Sequence, residues 1–155
     1  ETTVGKYPVR CVELMDRVSR RIERSGSLGY GKLAPLKSEK QKTIAAAIGL
    51  ADSISGALLV VFTRSGMTAN QAALLRPRSP IFAFTPDPTV CRALTLSRGV
   101  RPFEVTFDQR PRDTISAAVA ILRHQRDIQP GTALVIVSDI MHENNAVESI
   151  ILDHA

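Results

Sequence analysis

Ala57-Leu58-Leu59-Val60-Val61-Phe62-Thr63-Arg64-Ser65-Gly66-Met67-Thr68 is the stretch whose reading decides the fold. An unbroken apolar run from Ala57 to Phe62 gives way to small and hydroxylated residues, then to a helix expected over Thr68 to Leu75. Such a run suits a strand covered on both faces, as in the middle of a parallel sheet. The pattern then repeats, with Ile81 to Phe84 as strand and Thr89 to Leu96 as helix. This βαβα alternation predicts an α/β fold, a sheet sandwiched between helices in three layers.

Toward the C-terminus, the same reading expects a short strand around Phe103 to Thr106 and a helix from about Arg112 to Arg126. Strands from Ala133 to Val137 and from Ser149 to Leu152 complete the series. Toward the N-terminus, Ser38-Glu39-Lys40-Gln41 offers a capping box ahead of Ile44, Ala45, Ala47, Ile48 and Ala51, and so starts a well-buried helix. From Pro8 to Arg24, Val9, Val12, Met15, Val18 and Ile22 recur at helical period with charge opposite, which predicts an amphipathic helix whose stripe needs a partner surface.

The chain has 155 residues, enough for one compact domain with an appendage. Its 44% hydrophobic and 23% charged content is that of a globular protein, against disorder, collagen or coiled coil. No apolar run approaches the ~20 residues that span a bilayer, so no membrane partner is expected. Glu1 to Pro8 lack a basic start and an apolar stretch, so no export signal is read there. They also lack an initiator Met, which predicts a piece of a longer polypeptide. Cys11 and Cys91 are too few for a disulfide framework and read as reduced thiols of a cytosolic, cytoplasmic protein. Net charge is +5, yet acids interrupt the bases between Arg17 and Lys42 and only Tyr30 among them could stack a base. A solvated basic face therefore outweighs nucleic acid as the reading, and anionic small molecules remain candidate partners.

The candidate site is Thr63-Arg64-Ser65-Gly66-Met67-Thr68, which leaves the carboxyl end of one strand and opens the next helix. Helix-opening N–H groups and the helix dipole favour an anion there. Thr63, Ser65 and Thr68 add hydroxyls, Arg64 adds charge and Gly66 lets the backbone approach closely. The competing reading is that Ser65 or Thr68 caps the helix.

Other motifs carry less. Gly26-Ser27-Leu28-Gly29-Tyr30-Gly31-Lys32 has P-loop spacing, but it follows a helix, and Leu33 stands where a magnesium-binding hydroxyl belongs. Thr85-Pro86-Asp87-Pro88 reads as a rigid turn with Asp87 as helix cap. Asp139, His142 and Glu143 read as a solvated acidic loop in preference to a metal site. No nucleophile elbow is present, since Ser65 lies in Arg-Ser-Gly, so no catalytic and no metal residue is assigned.

Glu1-Thr2-x-x-Gly5-Lys6-Tyr7-Pro8-Val9 with Val12 and Met15 resembles the stretch of pyruvate kinases where the catalytic barrel ends and the chain crosses to the C-terminal domain. Phe62-Thr63-Arg64-Ser65-Gly66 with Thr68-Ala69 is similar to that domain's effector loop. Leu75-Arg76-Pro77-Arg78-Ser79-Pro80-Ile81 is similar to the approach to its second strand, and Leu96-Ser97-Arg98-Gly99-Val100-Arg101-Pro102 to the turn before its third. The resemblance covers essentially the whole chain. It implies residues 1–25 as the final barrel helix and crossover, and residues 26–155 as the C-terminal domain, with a five-stranded, mostly parallel sheet whose last strand is antiparallel.

It further implies a parent enzyme that transfers a phosphoryl group from phosphoenolpyruvate to ADP in glycolysis with magnesium and potassium, using barrel residues that lie outside this sequence. The fragment is then inactive alone and holds no cofactor of its own. The implied partners are the barrel of the same chain, a homo-oligomer (tetramer in the parent), and a phosphorylated effector at Thr63, Arg64, Ser65, Gly66, Met67 and Thr68. The family's bisphosphate-binding members carry a Gly-rich basic loop where this sequence has Ser138 to Ala146, with Asp139, Glu143 and no Gly. Carboxylates repel a second phosphate, which favours a sugar or nucleoside monophosphate. A second implied reading is an assembly module with a vestigial effector loop.

Overall fold

The structure, a computed structural model, describes residues 2–24, 35–108, 110–125, 128–142 and 145–155; residues 24, 139–142 and 145–148 are described by their backbone only. The P-loop-like stretch from Gly26 to Lys32 lies outside the described residues. The chain divides into two compact units, residues 1–33 and 34–155.

The first unit is built on α1 (Pro8–Arg24). Val9, Val12, Met15, Val18 and Ile22 form an exposed apolar stripe along it. On the helix surface, Arg20 Nε lies 2.8 Å from one Asp16 carboxylate oxygen and 2.9 Å from the other, one helical turn away.

The second unit opens with α2 (Glu39–Ser53), and the capping box expected from sequence is formed there. Ser38 Oγ accepts the Gln41 N–H at 3.2 Å, while Gln41 Oε1 accepts N–H groups from Ser38 at 3.3 Å and Lys37 at 2.7 Å. Three donors at the helix start are thereby satisfied by two side chains. Beyond it follow β1 (Leu58–Phe62), α3 (Met67–Leu74), β2 (Ile81–Thr85), α4 (Pro88–Leu94), β3 (Val100–Glu104), α5 (Pro111–Arg123), β4 (Ala133–His142) and β5 (Asn145–His154).

The strands form one sheet in the order β3-β2-β1-β4-β5. β1 pairs in parallel with β2 and β4, β2 in parallel with β3, and only β4 with β5 is antiparallel. Every residue of β1 and β2 is buried, as strands covered on both faces require. Leu59, Val61, Ile81, Ala83, Val135 and Val137 face a core made with α2, α3 and α4, to which Ile44, Ala47, Ala51, Ala72 and Leu94 contribute. Leu58, Val60, Phe62, Phe82, Phe84, Leu134 and Ile136 face the opposite way, toward Ala118, Val119 and Leu122 of α5. The expected three layers are present.

Two expectations need correction. The third strand spans Val100 to Glu104, three residues ahead of its expected start at Phe103. Gly99, with φ of 72°, turns the chain into it, and its carbonyl accepts the Ile81 N–H at 3.0 Å, which fixes Ile81 opposite Val100. Pro102 is accommodated because β3 is an edge strand, where a missing N–H costs least.

The second correction concerns the stretch expected as an acidic loop. Residues 139–142 and 145–148 are strand, because β4 and β5 pair in an unbroken ladder from Ala133 with His154 to His142 with Asn145. The β-branched residues Val135, Val137, Ile140, Val147, Ile150 and Ile151 favour this extended backbone. Glu143 lies outside the described residues, as do the side chains of Asp139 and His142.

Candidate functional site

All parallel strands end at the same rim of the sheet, where the connections after β1, β2 and β3 emerge. β1 lies between β2 and β4, so the chain leaves it one way for β2 and β3 and returns on its other side as β4. α3 and α4 cover one face and α5 the other. A reversal of strand order of this kind, at the carboxyl ends of the strands, is the place where α/β sheets bind ligands. Residues 63–68 leave β1 at this point.

Thr63 continues the ladder by donating its N–H to Phe84 O at 2.9 Å. Arg64 and Ser65 are exposed, Gly66 is buried, and Met67 is exposed. Gly66 is the N-cap of α3, in the left-handed region at φ 80° and ψ −8°, and no side chain caps the helix. The first helical bond at this end runs from Asn70 N–H to Gly66 O at 3.0 Å, so the N–H groups of Met67, Thr68 and Ala69 come ahead of it. Ser65 and Thr68 therefore do not act as the cap, which was the competing reading of this loop.

Gly66 is required here on two counts. A left-handed backbone strains any residue with a Cβ. A Cβ would also stand 3.2 Å from Val90 Cγ1 and 3.5 Å from Leu94 Cδ2 on α4, tighter than ordinary contact for the first. Thr63 and Thr68 are each 5% exposed, and among the described residues neither hydroxyl has a hydrogen-bond partner.

Arg64 takes a direction the sequence does not reveal. Its guanidinium carbon lies 5.0 Å from the centre of the Phe107 ring, in the connection after β3. Phe107 meets Phe62 edge-on at 5.9 Å, so Phe62 and Arg64, two residues apart, address the same ring. Phe107 was not singled out from sequence, because a lone Phe after a strand carries no signal of what lies across the sheet.

The neighbouring connection behaves as read. Asp87 caps α4, its Oδ1 accepting the Thr89 N–H at 2.7 Å, with Pro88 in the first turn. Its own N–H donates to Thr85 Oγ1 at 3.3 Å, within a turn whose two prolines offer no N–H. Among the described residues no three of His, Cys, Asp and Glu are close enough together to hold a metal, and no helix is long and apolar enough to cross a membrane.

Comparison with known proteins gives a consistent result. A family model described as the pyruvate kinase alpha/beta domain matches residues 41–150. Pyruvate kinase 2 of Synechocystis is 29% identical over 144 residues, covering 89% of this chain and 23% of that protein. Pyruvate kinase isozyme G, chloroplastic, of Nicotiana tabacum is 31% identical over 143 residues, covering 88% of this chain and 25% of that one. The chain thus spans about a quarter of the length of these relatives. In fold it is similar to a Cryptosporidium parvum pyruvate kinase solved in complex with ADP, with a TM-score of 0.77 at 22% identity over 97% of this chain and 31% of that one.

Proposed function

Because this chain belongs to the pyruvate kinase family, as a C-terminal α/β domain of the kind that the family model describes, we propose that it is the regulatory part of such an enzyme and binds a phosphorylated effector at Thr63 to Thr68. The observation that carries this reading is the start of α3. It opens at the sheet's switch point on a glycine with no side-chain acceptor, beside the unpartnered hydroxyls of Thr63 and Thr68. Backbone N–H groups at a helix start and nearby hydroxyls are what a phosphate takes up. A sugar or nucleoside monophosphate is the proposed class, from the carboxylates at Asp139 and Glu143 in the sequence.

In this reading the parent transfers a phosphoryl group from phosphoenolpyruvate to ADP, and residues 1–25 are the last helix of its barrel. Magnesium and potassium belong, in this reading, to that barrel. The fragment alone is then inactive. A cytoplasmic location goes with the reading; some plant relatives are named chloroplastic, and fractionation of the source cell is the check.

Calorimetric titration of the chain with a hexose monophosphate and with AMP, beside Ser65→Ala, tests the effector site. Heat with at least one ligand, weakened in the variant, supports it; no heat with either overturns it. A second reading, an assembly module with a vestigial loop, is favoured by one feature. β5 is an edge strand on which Ile150 is 37% and Leu152 50% exposed, an apolar margin suited to subunit contact. It requires the parent to lose its tetramers when the domain is deleted and to ignore metabolites at every stage, which sedimentation with and without ligand distinguishes.

A further inference from the structure

We infer that Phe107 is a positioning residue: it holds the Arg64 guanidinium at the rim of the sheet with its N–H donors open to the anion of the 63–68 loop. This deepens the effector reading and rests on it.

Arg64 follows Phe62 by two residues at the end of β1, and its guanidinium carbon lies 5.0 Å from the Phe107 ring centre. The ring is itself held. Phe62 meets it edge-on at 5.9 Å and stacks in turn on Phe84 at 5.5 Å, while Phe84 stacks on Phe103 at 5.5 Å. The segment that carries Phe107 is fastened on both sides. Val105 N–H donates to Thr85 O at 3.0 Å, and Asp108 N–H donates to the buried Thr114 Oγ1 at 2.9 Å, in the first turn of α5.

Against this seat, Arg64 is exposed, and among the described residues it has no hydrogen bond and no ion pair. A guanidinium that stacks on a ring meets it with its π face, and its in-plane N–H donors then stay available. An arginine so held loses less freedom on meeting an anion than one that moves freely, and affinity rises accordingly. A leucine at position 107 would fill much of the same space without a π face.

The test uses this chain and inorganic phosphate as the probe. An exposed cation–π contact is worth a few-fold in affinity, so Phe107→Leu should weaken phosphate about two- to fivefold, while Phe107→Tyr stays within about twofold of the parent sequence. In an Arg64→Gln background, Phe107→Leu should have no further effect. NMR adds a signature that an aliphatic side chain filling the same space does not produce: upfield ring-current shifts of the Arg64 Hδ and Hε protons, retained with tyrosine, lost with leucine, and kept when phosphate is added.

The inference is overturned if Phe107→Leu binds phosphate as well as the parent sequence does, or if its loss persists in the Arg64→Gln background. It is also overturned if phosphate returns the Arg64 protons to unshifted positions, a measurement that needs no variant and stands even where Phe107→Leu does not fold. Failure of the effector reading looks different: the unaltered chain then binds no phosphate although its Arg64 protons are ring-shifted, and the role assigned to Phe107 falls with it.

Discussion

The Asp52 carboxylate at the end of α2 accepts the backbone N–H of Ser79, 27 residues away in sequence, at 2.9 Å. The same carboxylate accepts the Arg78 N–H at 3.0 and 3.2 Å, and Arg78 Nη2 returns a bond to Asp52 O at 3.0 Å. One acid thus fastens the helix to the turn that leads into β2.

Replacing Asp52 by alanine leaves two backbone donors without their charged acceptor. Hydrogen bonds to charged groups contribute roughly 1.5–3 kcal/mol, so Asp52→Ala should lower stability by about that much. Arg78→Ala should cost less than about 1 kcal/mol, because that side chain is largely solvated. Urea unfolding of the two variants checks the order, and equal losses contradict it.

At Gly66, alanine meets both a left-handed backbone and the side chain of Val90. A loss of about 1–2 kcal/mol is expected from the backbone alone. Gly56 is the control for crowding: its φ is 74°, but a Cβ there meets nothing within 4 Å, so Gly56→Ala should cost less than Gly66→Ala by thermal unfolding.

Ser38→Ala removes the acceptor for the Gln41 N–H and breaks the capping box. A loss of about 1 kcal/mol should follow. Gln41→Ala removes the reciprocal half, and because the two side chains act as a pair the double variant should cost less than the sum of the single ones, by chemical denaturation.

Burial pushes the Cys91 thiol above its ordinary range, Glu104 adds to the shift and Arg92 partly opposes it. Alkylation of Cys91 by iodoacetamide, followed by mass spectrometry, should therefore reach half its limiting rate at a higher pH than a free thiol does. The folded state keeps this proton longer than the unfolded state, so the group's contribution to stability is level below the ordinary thiol range and falls as pH rises through it. A midpoint at or below the free-thiol value contradicts the shift.

Local signals are legible in this sequence and distant ones are not. Ser38 with Gln41, and Asp87 before Thr89, announce their helix starts because a cap is settled within three residues. The central strands were legible because Leu58 to Phe62 must be covered on both faces to be so apolar. The start of β3 is hidden because Arg101 and Pro102 look like turn residues, and only pairing along an edge, with Ile81 opposite Val100, makes them strand.

The far half of the β4–β5 ladder, from Ser138 to His142 and from Asn145 to Glu148, is hidden in the sequence for a related reason. Asp139 and His142 suggest a loop when read singly, whereas the ladder is a property of two segments together. At the candidate site the run of residues 63–68 was visible as a strand-to-helix passage, but that Gly66 itself is the cap depends on backbone angles. The ring under Arg64 arrives from 43 residues further along the chain (107 − 64), beyond any local pattern.

All five phenylalanines of the chain, Phe62, Phe82, Phe84, Phe103 and Phe107, are joined by ring contacts on one face of the sheet, while both tyrosines, Tyr7 and Tyr30, fall in residues 1–33 and tryptophan is absent. The molecule therefore carries two natural optical reporters that do not overlap in sequence. Vibronic fine structure between about 255 and 270 nm reads the order of the sheet, and tyrosine emission reads the N-terminal helix unit, so melting of either piece can be followed without a label.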